Sequence, residues 1–235
     1  MNTLVLLSGG LDSAVLAAHE AQNATVQPVY VSVGFAWEPG ELAMIDRLLA
    51  TAVFAGKILP LARVEFTMRD LYPPTHWAIR GAPPAYDSPD EDVYLAGRNP
   101  LLLTKAAMVA TRTGAHRIAL GSLAGNPFPD TRPDFFSAMA TALSLGLDYL
   151  IEIATPFLAW DKQRVIERGV ALQVPLGLTL SCMNASASAS GASGALPVHC
   201  GLCSKCRERR DAFAAAGLTD PSTYAYQSPR GLDQS

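Results

Sequence analysis

The sequence predicts an α/β fold: a doubly wound, mostly parallel sheet wrapped by helices, with a small metal-binding segment at its C-terminal end. Three observations carry this. Short, β-rich apolar runs alternate with longer amphipathic ones. The first run leads straight into Ser8-Gly9-Gly10-Leu11-Asp12-Ser13. All four cysteines, Cys182, Cys200, Cys203 and Cys206, fall in the last quarter of the chain.

In order, residues 3–7 (TLVLL) read as a buried strand, residues 12–22 as a helix and residues 25–33 (TVQPVYVSV) as a second strand. Residues 41–55 carry apolar positions at helical spacing, and 63–67 read as a third strand. Residues 99–114 form a helix closed by Gly114, followed by a strand over 117–120, a helix over 135–145 and a strand over 149–153. Residues 161–172 read as a helix with Asp161 as its N-cap. Residues 205–216 read as a helix carrying the last cysteine. The β-α alternation requires a parallel sheet with helices on both faces. Residues 72–92 are proline-rich and acidic and read as a long functional loop. Residues 184–195 are Ala/Ser/Gly-rich and read as a flexible insert. These features divide the chain into an α/β domain over 1–175 and a cysteine-bearing helical segment over 176–235.

Composition narrows the function classes. Of 235 residues, 49% are apolar and 17% charged, with a net charge of −3. That balance offers no basic surface for nucleic acid or membrane, so neither is expected as a partner. The apolar runs are too short to span a bilayer, and Met1-Asn2-Thr3 does not begin a signal peptide; a cytoplasmic protein is expected.

The SGGLDS string predicts a phosphate site. Paired glycines let the backbone approach an anion with no Cβ in the way. The amides that follow open a helix, whose dipole favours negative charge. Ser8 and Ser13 add hydroxyl donors, and Asp12 suits a Mg²⁺ held between it and the phosphates. The plain alternative is a strand–helix corner with serine caps. Near the C-terminus, Cys200-Gly201-Leu202-Cys203-Ser204-Lys205-Cys206 places three thiols within seven residues, and Cys182 can return as the fourth. Four thiolates around one Zn²⁺ form a closed, structural site. Buried free cysteines, a redox pair and a four-cysteine iron–sulfur cluster remain open alternatives. Lys205, Arg207, Arg209 and Arg210 are expected to offset the charge of such a centre. His199 is expected to pack or face solvent, and Glu208 to lie at the surface.

SGGLDS resembles the pyrophosphate loop of the N-type ATP pyrophosphatases. Further strings resemble one of their families, the 7-cyano-7-deazaguanine synthases: Gly97-Arg98-Asn99, Leu120-Gly121-Ser122, Pro129-Asp130-Thr131-Arg132-Pro133-Asp134-Phe135, Thr155-Pro156-Phe157 with Lys162, and Thr179-Leu180-Ser181-Cys182 leading to the cysteine triplet. The order matches from end to end. The resemblance implies a Rossmann-like PP-loop fold and a ligase that adenylates a deazapurine carboxylate and reacts it with ammonia, converting 7-carboxy-7-deazaguanine to 7-cyano-7-deazaguanine, a queuosine precursor. It implies that Leu7, Ser8, Gly9, Gly10, Leu11, Asp12 and Ser13 bind ATP. Asp12, Lys162 and Arg98 are the candidate catalytic groups; Asp130, Arg132, Phe135, Phe35 and Trp37 are the candidate substrate contacts. Structural Zn²⁺ and ATP-bound Mg²⁺ are the expected cofactors, and the chain is compatible with a homodimer. There is one departure. The family carries a polar Tyr-Gly-Gln string and a histidine after the second strand, where this chain reads Val33-Gly34-Phe35-Ala36-Trp37-Glu38.

Overall fold

The computed structural model describes residues 2–184 and 196–227. Five strands, β1 (Asn2–Leu6), β2 (Thr25–Ser32), β3 (Ala62–Glu65), β4 (Arg117–Ala119) and β5 (Glu152–Ala154), form an all-parallel sheet in the order β3-β2-β1-β4-β5. The helices are α1 (Leu11–Glu20), α2 (Glu38–Leu49), α3 (Trp77–Arg80), α4 (Arg98–Thr113), α5 (Pro133–Leu147), α6 (Lys162–Ala171) and α7 (Ser204–Ala215).

Alternation along the strands builds two cores. Val5, Tyr30 and Ala119 face α1, α2, α6 and α7 with Leu16, Ile45, Ile166 and Phe213. Leu4, Val29, Val31 and Ile118 face α4 and α5 with Leu103, Ala107, Phe136 and Leu143. The helices therefore change face between β1 and β4, and the carboxyl ends of these two strands frame the crevice where such sheets bind ligands. Close packing fixes α6 on this side: a Cβ on Gly169 would come within 2.8 Å of Val15.

The predicted elements appear with shifted ends. α2 begins at Glu38 rather than 41, because Pro39 sits at the first helical positions, where its missing N–H costs nothing. It ends at Leu49, and residues 51–57 are turns. The last strand starts at Glu152 rather than 149; Tyr149 instead stacks on His116, with ring centroids 4.5 Å apart. Asp161 caps α6 by accepting the Arg164 N–H at 2.8 Å, and Gly114 closes α4 at φ 72°. The loop over 72–92 is not structureless. It holds α3, capped by His76 and closed by Gly81 at φ 71°, and a 3₁₀ turn over Asp90–Val93. The predicted insert at 185–195 lies outside the described residues.

Candidate active site

The phosphate loop leaves β1 and enters α1 through a closed hydrogen-bond circuit. Ser13 Oγ accepts the Ser8 N–H at 3.2 Å and donates to the Gly10 carbonyl at 3.0 Å, while Ser8 Oγ accepts the Gly10 N–H at 3.3 Å. The first intrahelical bond is Ala14 N–H to Gly10 O, so the amides of Leu11, Asp12 and Ser13 precede the helical ladder. Gly9 has φ +75°, and a Cβ there would meet the Glu41 carbonyl and Ile45 at 3.0 Å each. Its role is close packing on α2. On the other side Gly121, which follows β4, lies against Asp12; its Cβ would come within 3.3 Å of the Asp12 backbone.

Two adjoining cavities of about 250 and about 390 Å³ share Ser8, Gly10, Asp12, Glu41, Arg98, Gly121, Asn126 and Phe128. The first extends along β2 to Phe35, Trp37 and Glu38 and also takes in Leu7, Ser13 and Asn99. The second extends over Leu11 to Lys162, Lys205 and Glu208. Phe35 and Trp37 are buried, with ring centroids 5.0 Å apart, and Trp77 of α3 stacks on Trp37 at 5.5 Å. The long loop thus backs the aromatic wall through Trp77.

Asp130, Arg132 and Phe135 lie off the lining of both cavities. Asp130 is buried at the start of α4, where Oδ2 accepts the Asn99 N–H at 3.4 Å and its carbonyl accepts from Asn99 Nδ2 at 3.0 Å. Arg132 is exposed, and Phe135 packs beside Phe136. From this loop Asn126, Phe128 and Thr131 reach the first cavity, with Phe128 against Tyr94 at 5.1 Å.

A ladder of charge crosses the second cavity. Lys162 Nζ lies 3.1 Å from Asp12 Oδ2 and 2.5 Å from Glu208 Oε1, and Lys205 Nζ lies 2.6 Å from Glu208 Oε2. Burial opposes the Lys162 charge, but Asp12 and Glu208 outweigh it and hold its pKa above the usual lysine value. The two lysines likewise overcome burial at Glu208 and bring it down to about 2. At Asp12 burial outweighs Lys162 and raises the pKa, and Asp12 Oδ1 is buried without a hydrogen-bond partner. Glu208 is therefore no surface residue.

Two acidic groups of α2 also escaped sequence reading. Glu38 Oε1 accepts the N–H groups of Val33, Gly34 and Phe35 at 2.7, 2.9 and 3.1 Å, and Oε2 accepts from Ser32 Oγ at 2.5 Å. It fixes the turn that carries Phe35 and Trp37. Glu41 accepts from Tyr30 OH at 2.7 Å. Burial pushes it up to about 7, only partly opposed by the Arg98 charge. Their spacing of three, on one face of a helix started at Pro39, was the available signal.

Cys182, Cys200, Cys203 and Cys206 are buried, with their sulfur atoms all within 4.8 Å of one another. Backbone N–H groups point at sulfur: Asn184 and Cys200 to Cys182 at 3.4 Å, Leu202 to Cys200 and Gly201 to Cys206 at 3.3 Å. Gly201, at φ +83°, permits this turn; a Cβ would sit 2.1 Å from the Tyr226 carbonyl. Four converging sulfurs with amide donors fit a bound metal ion. Among the described residues, none of the four neighbouring cations is hydrogen-bonded to a sulfur; each has other partners. Arg209 binds Asp220, Thr179 and the Leu176 carbonyl; Arg207 binds the Tyr86 and Ser88 carbonyls; Arg210 binds the Gly201 carbonyl; Lys205 binds Glu208. His199 is a packing residue. It is buried beside Tyr224, accepts the Ser181 N–H at 3.1 Å, and is held down to about 3 by burial. The same segment reaches the phosphate loop, where Leu180 N–H donates to the Gly9 carbonyl at 2.8 Å.

Comparison with known proteins agrees with this arrangement. The family model described as "Queuosine biosynthesis protein QueC" matches residues 2–217. A 7-cyano-7-deazaguanine synthase of Azoarcus sp. (strain BH72) is 33% identical over 230 residues, covering 94% of this chain and 96% of the relative. One of Methanothrix thermoacetophila is 31% identical over 233 residues, covering 94% and 97%. A solved complex of a 4-thiouridine synthetase with RNA and ATP shares 16% identity at a TM-score of 0.43, over 99% of this chain and 49% of that one, a likeness too distant to carry any functional statement. The family model spans the phosphate loop, both cavities and all four cysteines, and the chain belongs to the queuosine biosynthesis protein QueC family.

Proposed function

We propose that this protein is an ATP-dependent C–N ligase that converts 7-carboxy-7-deazaguanine and ammonia to 7-cyano-7-deazaguanine. The observation that carries the reading is the meeting of the SGGLDS loop, Arg98, Asp12 and Lys162 on one pair of joined cavities at the β1/β4 crevice. A carboxylate is a poor electrophile. Its oxygen attacks the α-phosphate of ATP and pyrophosphate leaves; ammonia then displaces AMP to give the amide. The amide oxygen then attacks the α-phosphate of a second ATP, pyrophosphate leaves, and loss of AMP together with the two amide protons yields the nitrile.

The loop amides and the Ser8 hydroxyl hold the departing pyrophosphate, Ser13 braces the loop through the Gly10 carbonyl, and Arg98 and Lys162 offset the charge. The unpartnered Oδ1 and raised pKa of Asp12 suit a divalent cation, and Mg²⁺ bound there would neutralise phosphate charge. Asp130 positions Asn99 and the start of α4 rather than touching substrate. Zn²⁺ is the metal we assign to the four thiolates, and the cytoplasm, with its ATP supply and reduced thiols, is the compartment in which this chemistry fits.

The aromatic wall supports a second reading. Phe35 and Trp37, with Trp77 stacked on Trp37, give the first cavity aromatic surface where the family's polar string is expected, which suits a different, more apolar carboxylate. One assay separates the two. Purified protein with ATP, Mg²⁺, ammonium and 7-carboxy-7-deazaguanine should release AMP and pyrophosphate and accumulate amide and nitrile by mass. ADP and phosphate as products would overturn the chemistry. Neither amide nor nitrile from protein that still binds ATP would transfer the reading to another acid.

A further inference from the structure

The cysteine-bearing segment lines the second cavity with Leu180, Ser181, Met183, Lys205 and Glu208, and its one cation there, Lys205, stands between Cys203 and Cys206 in the cysteine knuckle. Each lysine ammonium has three N–H donors. Lys162 spends two of them, on Asp12 and Glu208, whereas Lys205 spends one, on Glu208. Lys205 therefore keeps more donor capacity facing the cavity than the lysine that sequence reading selected. Glu208 bridges the two ammonium groups, and a carboxylate between two cations offsets their repulsion and fixes their spacing. The cavity they line also holds Ser8, Gly10, Asp12 and Arg98, so an anion seated on the loop amides lies in the same enclosed space.

We propose that Lys205 is a phosphate-binding residue of this cavity, held in place by Glu208 and by the cysteine knuckle that carries it. The four-cysteine centre then positions a binding group besides stabilising the fold. The proposal deepens the ATP-pyrophosphatase reading above and rests on it.

The test is pyrophosphate binding with Mg²⁺, measured by calorimetry on the full chain carrying its bound metal. The variants are Lys205→Met, which keeps the apolar stem, and Lys205→Arg, which keeps the charge. Arg112→Ala, an exposed change on α4, is the control. Loss of one charge-assisted phosphate contact should weaken pyrophosphate about tenfold in Lys205→Met, with partial recovery in Lys205→Arg. Thermal midpoint and metal content should match the wild type, which a merely structural lysine would not guarantee. Binding within about twofold of wild type in Lys205→Met would overturn the proposal. So would weakened binding that tracks a loss of metal in both variants. Wild-type protein that binds no pyrophosphate would overturn this inference together with the pyrophosphatase reading. Wild-type protein that binds pyrophosphate but leaves 7-carboxy-7-deazaguanine unchanged would remove only the substrate assignment.

Discussion

Asp12, half-buried, and Glu41, buried, are carboxylates on the shared lining of the two cavities, yet different partners give them different work. Asp12 has Lys162 on one oxygen and no partner on the other. Replacing it with alanine removes the partner of Lys162 and, on the proposed reading, the carboxylate that would hold Mg²⁺. Asp12→Ala should lower AMP release at least ~100-fold, the scale of losing one preorganised electrostatic stabiliser, with turnover read by chromatography of AMP. Glu41 should leave its mark on stability. In the unfolded chain it ionises near 4.5, and in the folded chain at about 7. Between those values the native state keeps a proton that the unfolded state has released. Its contribution is therefore complete below pH 4.5 and is lost as pH rises to about 7. Urea titrations should show the wild type losing about 1.4 kcal/mol per pH unit across that window relative to Glu41→Gln. Parallel curves for the two proteins would contradict the assignment. Neither carboxylate's role is set by residue type alone: a sequence shows an acid on a helix, and only the fold shows what desolvates it.

At the scale of elements, α7 is joined to the α/β core by Ala212 and Phe213 and by a set of polar ties. Arg209 is 1% exposed, and its guanidinium reaches Asp220 at 3.1 Å, Thr179 Oγ1 at 2.8 Å and the Leu176 carbonyl at 2.8 Å. These bonds hold the 176–181 segment, which in turn hydrogen-bonds the phosphate loop through Leu180. Arg209→Ala strands the Asp220 carboxylate and the buried carbonyl, and should cost about 3–5 kcal/mol, visible as a drop in thermal midpoint. A midpoint within a degree of wild type would show that the tie is dispensable. The helix itself was legible from its pattern, as were α1, α4 and α6 from their caps and apolar faces. The short α3 was not, because four residues carry no period. The start of α2 was missed for another reason: Pro39-Gly40 reads as a break, although proline is favoured in a first helical turn.

For the whole molecule, the four-cysteine cluster and the second cavity are connected, since the cysteine knuckle carries Lys205 and Glu208 into that cavity. Freshly purified protein should contain one zinc per chain by elemental analysis. Cys203→Ser should lower thermal stability and metal content together, because a closed four-thiolate site contributes its binding free energy to folding. Stoichiometric metal retained in that variant would rule out Cys203 as a ligand. The strand–loop–helix signature, the β-α alternation and the cysteine spacing determined the fold class, the turn from β1 into α1 and the grouping of the four cysteines from sequence alone, because each depends on local backbone geometry or short spacing. The tertiary structure decided the rest. It brought Glu208 into the cavity although it reads as a surface charge, turned Asp130 into a cap for α4, and left Arg132 outside. It also placed Trp77 from a distant loop on Trp37. The physical reason is the same in each case: side-chain orientation, desolvation and pairing across more than 30 residues depend on how elements pack, and no periodicity or spacing within one segment encodes them.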